Sequence, residues 1–255
     1  MEGNLFSGKV ALVTGASSGI GKAVAFALAR GGAVVAANYN QNRQGAESLV
    51  AEIRAQGGDA EAVRADVSRA GAVQAMVDGV LARFGGRLDI LINNAGRWMD
   101  KFSIAECPER VWDEMMDVNL KGVFLCCRAV IPVMTAQKSG VIVNISSVAS
   151  YTGGGGGTVP YGTAKAGVNT LTRGLARELA PLGIRVNGVA PGVIDTPMQH
   201  RHSTPEEIQG FARYVPLGRV GEPEDMVGAV LLLASPQADY ITGEIIEANG
   251  GFLMH

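Results

Sequence analysis

Val10-Ala11-Leu12-Val13-Thr14-Gly15-Ala16-Ser17-Ser18-Gly19-Ile20-Gly21 is the stretch on which the reading of this chain turns. Four apolar residues run without a break into a Gly-rich turn, and a helix-period segment follows. A short, continuously apolar strand that feeds a helix belongs to a parallel sheet covered on both faces. Gly15 permits a tight exit from the strand, Gly19 lets backbone approach a ligand, and Gly21 lets helix and strand pack closely. Bare amides backed by the positive end of a helix suit a pyrophosphate. The spacing is G-x-x-x-G-x-G rather than G-x-G-x-x-G, so an ordinary Gly-rich turn is the alternative.

Outward from this unit the same alternation repeats. Strand-like runs lie at 10–13, 33–37, 60–65, 88–92, 141–145, 184–189 and 244–247, and helix-period stretches lie near 19–30, 43–56, 69–84, 109–137, 162–180 and 223–234. This is the pattern of a doubly wound α/β fold. At 255 residues, with no linker or repeat, a single domain over 1–255 is the simplest division. Gly153 to Gly157 reads as a mobile loop, and 195–216 is poorly periodic.

Composition excludes several classes of function. With 47% hydrophobic and 18% charged residues, the chain has the apolar surface to bury a core and is not disordered. Lys plus Arg number 22 and Asp plus Glu 24, a net charge of −2 without a basic stripe, so nucleic acid is not an expected partner. Neither an apolar run near the roughly 18 residues of a membrane span nor a signal-peptide pattern is present, and no membrane partner is expected. Cys107, Cys126 and Cys127 build neither a disulfide framework nor a zinc signature, which fits a reducing cytoplasm.

Other strand exits carry small or polar residues. Asp66 and Val67 end the third strand, Asn93-Asn94-Ala95-Gly96 the fourth, and Pro191-Gly192 follows the sixth. In open parallel sheets ligands bind outside the carboxyl ends of the strands, so together these exits line a groove long enough for a dinucleotide. Tyr161 and Lys165 lie four apart on one helix, which places the phenol and ammonium one turn apart. A nearby cation favours the phenolate, and such a tyrosine can pass a proton near neutral pH; chance pairing is the rival reading. Ser147, at the end of the fifth strand, stands at the same edge and can hydrogen-bond a substrate oxygen, or is a turn serine.

Seven motifs in order, TGASSGIG at 14–21, Asp66-Val67, NNAG at 93–96, Val118-Asn119, Ser147, Tyr161 with Lys165, and Pro191-Gly192, resemble the short-chain dehydrogenase/reductase family from Gly8 to Phe252. The resemblance implies one Rossmann-type domain with a seven-stranded parallel sheet, and hydride transfer between a nicotinamide and an alcohol carbon. By resemblance Tyr161 is the general acid/base, and Ser147 holds and polarises the substrate oxygen. Lys165 binds the nicotinamide ribose and lowers the Tyr161 pKa, and Asn119 positions a water that relays protons. The implied cofactor residues are Gly15, Ser17, Ser18, Gly19, Ile20 and Gly21 in the first turn, and Asn38, Tyr39 and Arg43 at the second strand. Asp66 and Val67 follow at the adenine, and Asn93, Ala95 and Gly96 lie along the cofactor. Tyr161, Lys165, Pro191, Gly192, Ile194 and Thr196 complete the set, the last two at the carboxamide. The resemblance also implies a lid over the substrate at about 195–216 and a homotetramer, with 109–137 and 162–180 forming one interface.

Asn38 stands where NAD-specific relatives are expected to carry Asp, and a neutral amide with Arg43 favours NADP(H), since a guanidinium holds a phosphate by two bonds. Ser18, where many NADP-dependent relatives have a basic residue, argues the other way, and NAD(H) remains possible. Arg97-Trp98 points either to a stacked or anionic substrate group or to a surface Arg beside a packed Trp. His200 and His202 have no third partner placed for a metal, and none is expected. The resulting expectation is an NADP(H)-preferring oxidoreductase that interconverts a small-molecule carbonyl and a secondary alcohol, nearest to 3-oxoacyl-carrier-protein reductases. The alternatives are an NAD-dependent sugar or polyol dehydrogenase and a non-catalytic dinucleotide-sensing module.

Overall fold

In the computed structural model, which describes residues 4–254, the apolar runs become strands β1 (Val10–Val13), β2 (Val34–Tyr39), β3 (Ala60–Arg64), β4 (Ile90–Asn93), β5 (Gly140–Ile145), β6 (Ile184–Pro191) and β7 (Ile245–Ala248). They form one seven-stranded sheet in the order β3-β2-β1-β4-β5-β6-β7, every pair parallel. The helices are α1 (Gly19–Arg30), α2 (Arg43–Ala55), α3 (Ala70–Arg83), α4 (Glu109–Met116), α5 (Gly122–Gln137), α6 (Ala149–Thr152), α7 (Val159–Leu179), α8 (Pro197–His200), α9 (Pro205–Gly210) and α10 (Val227–Ala234).

Two hydrophobic layers hold the sheet. On one face Val24 and Leu28 of α1, Leu49 and Ile53 of α2, and Val230 and Leu233 of α10 cover β1 and β2. On the other, Val73 and Val77 of α3, Val130 and Met134 of α5, and Val168 and Leu179 of α7 cover β1, β4, β5 and β6. Full burial of each such side chain stabilises by about 1.5–3 kcal/mol. Both faces are covered, which is why the strands read as unbroken apolar runs. The strand order reverses between β1 and β4, and ligands in such sheets bind at the carboxyl ends beside that reversal.

Local differences from the sequence reading concern the ends and one interior turn. β2 continues to Tyr39, so Asn38 lies inside the strand, paired with Val63. The stretch 109–137 is helical throughout, but Asp117–Lys121 forms a π-helical turn between α4 and α5. An 18-residue window within that continuous 29-residue helix reaches a mean hydropathy of 1.4, enough to cross a membrane by length and composition alone. The expectation that no stretch approaches that limit is corrected to this extent; the inward side of α5, including Val123, Cys126, Cys127 and Val130, packs in the core.

Candidate active site

β1 ends at Val13, and the turn that follows is pinned from three sides. Thr14 Oγ1 accepts the Asn94 and Ala95 amides at 3.0 and 2.9 Å. Asn94 Nδ2 donates to the Thr14 and Gly15 carbonyls, and the Gly15 amide donates to Asn38 Oδ1 at 3.2 Å. Gly15 and Gly19 adopt φ of +64° and +53°, a region that disfavours side chains. A Cβ on Gly21 would lie 2.4 Å from Asn94 Nδ2 and from the Gly15 carbonyl oxygen. Ser18 precedes α1 without a capping side-chain bond. First-turn amides left to an outside acceptor are what a pyrophosphate needs, so the cradle fits a dinucleotide.

Asn38 lies beneath the same loop. It is 1% exposed, and besides the Gly15 amide it serves the Val63 and Ala65 carbonyls, each at 3.2 Å. An amide held in this way shapes the phosphate loop. Tyr39, last in β2, is buried beside Arg43, which opens α2. The Arg43 side chain is 74% exposed and its Nε donates to Glu47 at 2.7 Å. Asn42 caps α2 through the Gly45 amide and donates to the Ser17 carbonyl, tying α2 to the same loop.

Further along the groove, Asp66 Oδ1 accepts the amide and hydroxyl of Ser68, fixing the turn after β3, and Val67 packs beneath it. The Asn93 side chain is buried, donating to Asn144 Oδ1 at 2.9 Å and Cys127 Sγ at 3.3 Å, and braces β4 against β5. Gly96 does reach the centre. A Cβ there would lie 3.0 Å from Asn119 Oδ1 and 3.8 Å from Lys165 Nζ. Pro191 ends β6, a Cβ on Gly192 would meet Asn249 at 2.9 Å, and Ile194 is buried in a bridge to Gly221. Thr196 caps α8 and brings its methyl group to 3.3 Å from where a Gly19 Cβ would stand. The segment after β6 therefore rests on the phosphate loop.

Ser147, Tyr161, Lys165 and Asn119 converge at the carboxyl ends of β4 and β5. Tyr161 is hydrogen-bonded to Ser147; burial raises its phenol above the ordinary value and this bond opposes the rise. Lys165, 3% exposed, donates to the Ile145 carbonyl at 2.7 Å and lies 5.8 Å from the Tyr161 ring centroid. Burial lowers its pKa to about 8. In the chain alone, the influence that opposes burial at Tyr161 comes from Ser147. Asn119 sits in the π-helical turn, fully buried, accepting the Arg97 amide and donating to the Arg97 and Met115 carbonyls. Its amide is spent on the loop after NNAG, so a water contact would fall to its main chain. Such turns recur at functional sites.

Several positioning residues have no sequence motif. Ser146 donates to Asn169 Oδ1 at 2.6 Å, Asn169 to Ser150, and Ser150 to the Ser147 carbonyl, which locks the serine turn onto the helix carrying Tyr161. Arg97 points away, its Nη1 3.6 Å from Glu114, so the surface reading holds for it. Trp98 instead stacks on Tyr161, centroids 6.2 Å apart at 28°, and meets His202 at 5.4 Å. His200 turns to Asp195 and His202 Nε2 to the Trp98 carbonyl at 3.0 Å, so the two histidines face different partners.

Comparison with known proteins agrees with this geometry. Residues 15–253 match the protein family described as enoyl-(acyl carrier protein) reductase. The 3-oxoacyl-[acyl-carrier-protein] reductase FabG of Staphylococcus aureus is 45% identical over 246 residues, 96% of this chain and 98% of its own. The enzyme of the same name from Synechocystis is 45% identical over 247 residues, 96% and 97% of the two chains. Thermotoga maritima FabG is 41% identical over 248 residues, 97% and 98%. The crystal structure of gox2181 superposes with a TM-score of 0.92 at 36% identity, over 98% of this chain and 97% of that one. With a Gly-rich cradle at one end of the groove and a serine, tyrosine and lysine at the other, this chain belongs to the short-chain dehydrogenase/reductase family and is an NAD(P)-dependent oxidoreductase acting between carbonyl and alcohol.

Proposed function

We propose that the protein is an NADP(H)-preferring reductase that converts a ketone, of the 3-oxoacyl kind, to a secondary alcohol. The observation that carries this reading is the pairing of Tyr161 with Ser147 beside a buried Lys165. Two hydroxyls directed at one substrate oxygen suit a carbonyl, which gains charge on oxygen as it is reduced. The relatives named as 3-oxoacyl reductases support the same class.

When bound, the nicotinamide dinucleotide supplies the hydride. The amides between Ser17 and Gly21 hold its phosphates, and Ile194 and Thr196 hold its carboxamide. Ser147 holds and polarises the carbonyl, Tyr161 donates the proton to the oxygen, and Lys165 holds the ribose through its ammonium. For cofactor choice, β2 is followed by Asn40 and Gln41, with no acid at that rim. Arg43 supplies the cation; its exposed pair with Glu47 is worth little and yields readily to a phosphate. The segment at about 195–216 closes over the substrate, and four copies assemble through the helices at 109–137 and 159–179.

The test follows oxidation of NADPH and NADH separately against β-ketoesters, acetoacetyl thioesters, keto-sugars and cyclic ketones, with Tyr161→Phe as comparison. NADPH-linked turnover of the acyl compounds is expected, and Tyr161→Phe is expected to lower kcat by about 10²–10⁴ while keeping cofactor affinity. NAD-linked polyol oxidation in its place would assign the protein to the sugar dehydrogenases.

A further inference from the structure

Trp98 follows the NNAG turn directly, and three contacts hold its ring. Tyr161 stacks on it, His202 of the 195–216 segment meets it across 104 residues of sequence, and Lys101 Nζ lies 5.5 Å from its centroid. Among the described residues, Trp98 Nε1 is the buried side-chain polar atom that has no hydrogen-bond partner. An unpaired buried donor costs about 1–3 kcal/mol, so an unsatisfied N–H in a native site calls for a cause. The N–H is shut off from solvent, on a ring that stacks against Tyr161.

We propose that Trp98, braced by His202, is a specificity-determining residue, and that its indole N–H receives a second acceptor oxygen on the substrate, adjacent to the carbonyl held by Ser147 and Tyr161. The rings lie 6.2 Å apart, within the span of a small molecule whose reacting oxygen rests on Tyr161. The favoured substrates are 1,3-dicarbonyl compounds, and a ketone lacking the second oxygen leaves the donor unpaired. A site built to receive a polar group discriminates strongly against the analogue without it. The inference rests on the reading of Tyr161 as the acid of a carbonyl reductase.

The experiment compares ethyl acetoacetate with 2-heptanone, which has the same chain length and no second carbonyl. Trp98→Phe keeps a ring against Tyr161 and removes the N–H. The expected result is a KM for ethyl acetoacetate raised about tenfold, with kcat nearly kept and 2-heptanone changed less than twofold. An equal rise for both substrates, or no change for either, overturns the proposal and leaves Trp98 a packing wall. A second readout needs neither turnover nor a folded Trp98 variant. The chain has two tryptophans, so in Trp112→Phe the emission of the NADP⁺-loaded protein reports Trp98 alone. Ethyl acetoacetate should shift that emission to the red with saturation, and 2-heptanone should not. Equal responses overturn the proposal even if the enzyme is active. Selective binding without turnover of any carbonyl would uphold the Trp98 contact while refuting the carbonyl-reductase reading.

Discussion

Lys165 sets the pH behaviour of the site at the level of one residue. Burial holds its ammonium near 8 in the folded chain against an ordinary value of 10.5. Below pH 8 the lysine is charged in both states, and the burial penalty is fully felt. Between about 8 and 10.5 the native state gives up its proton first, the unfolded chain binds more protons, and stability rises with pH. Unfolding free energies from denaturant melts are therefore expected to show wild type gaining about 2–3 kcal/mol relative to Lys165→Met between pH 7 and 10.5. A difference that stays flat over this range would mean that water reaches the ammonium. Helix spacing and a strand end made the positions of Lys165, Tyr161 and Ser147 legible in the sequence, while their roles came only with the ordered motifs of the family. Their partners were not legible: the Ser146-Asn169-Ser150 relay and the Trp98–His202 contact join residues far apart in sequence, and no local period records such pairs.

At the level of elements, the seven strands and six main helices were readable because apolar runs and helix periods are dictated by two-sided burial. The boundary that bears most on the site is the end of β2, which runs on to Tyr39 and sets the Asn38 side chain against the Gly15 amide of the phosphate loop. The π-helical turn at Asp117–Lys121 was hidden, since one extra residue in a helix leaves the apolar pattern almost unchanged. The roles of Asn38 and Arg43 separate in a single comparison. Asn38→Ala removes a bond to the Gly15 amide and loosens the loop that holds the phosphates common to both cofactors. It should weaken NADPH and NADH alike, by about tenfold, because a buried amide is left unpaired. Arg43→Ala touches only the 2′-phosphate and should reduce the NADPH preference while sparing NADH. Equilibrium titrations of both cofactors check this; an Asn38→Ala effect confined to NADPH would place that amide at the ribose.

For the whole molecule, the unresolved apolar surface lies on the long helix from Glu109 to Gln137. Its most apolar window is only 44% buried within the chain. Phe124 is 44% exposed with the Arg128 guanidinium 5.2 Å from its ring centroid, and Trp112 is 36% exposed on α4. An apolar helix that is core on one side and bare on the other needs cover. A bilayer is a poor match, because the buried half of the helix is locked against β4, β5 and α3 and cannot leave without dismantling the sheet's second layer. A second copy of the same face fits a symmetric, self-complementary contact, in which each Phe124 meets the partner's surface and each Arg128 stays at the rim. In the proposed tetramer this contact joins pairs of copies, and sedimentation equilibrium is expected to give four times the 26.5 kDa chain mass. Phe124→Asp, which puts a carboxylate in place of the apolar ring that fills that contact, is expected to lower the assembly to dimers or monomers while leaving far-ultraviolet circular dichroism unchanged. A Phe124→Asp protein that sediments as wild type would move the interface to another face and leave this helix uncovered, and co-sedimentation with lipid vesicles would then decide whether a membrane is what covers it.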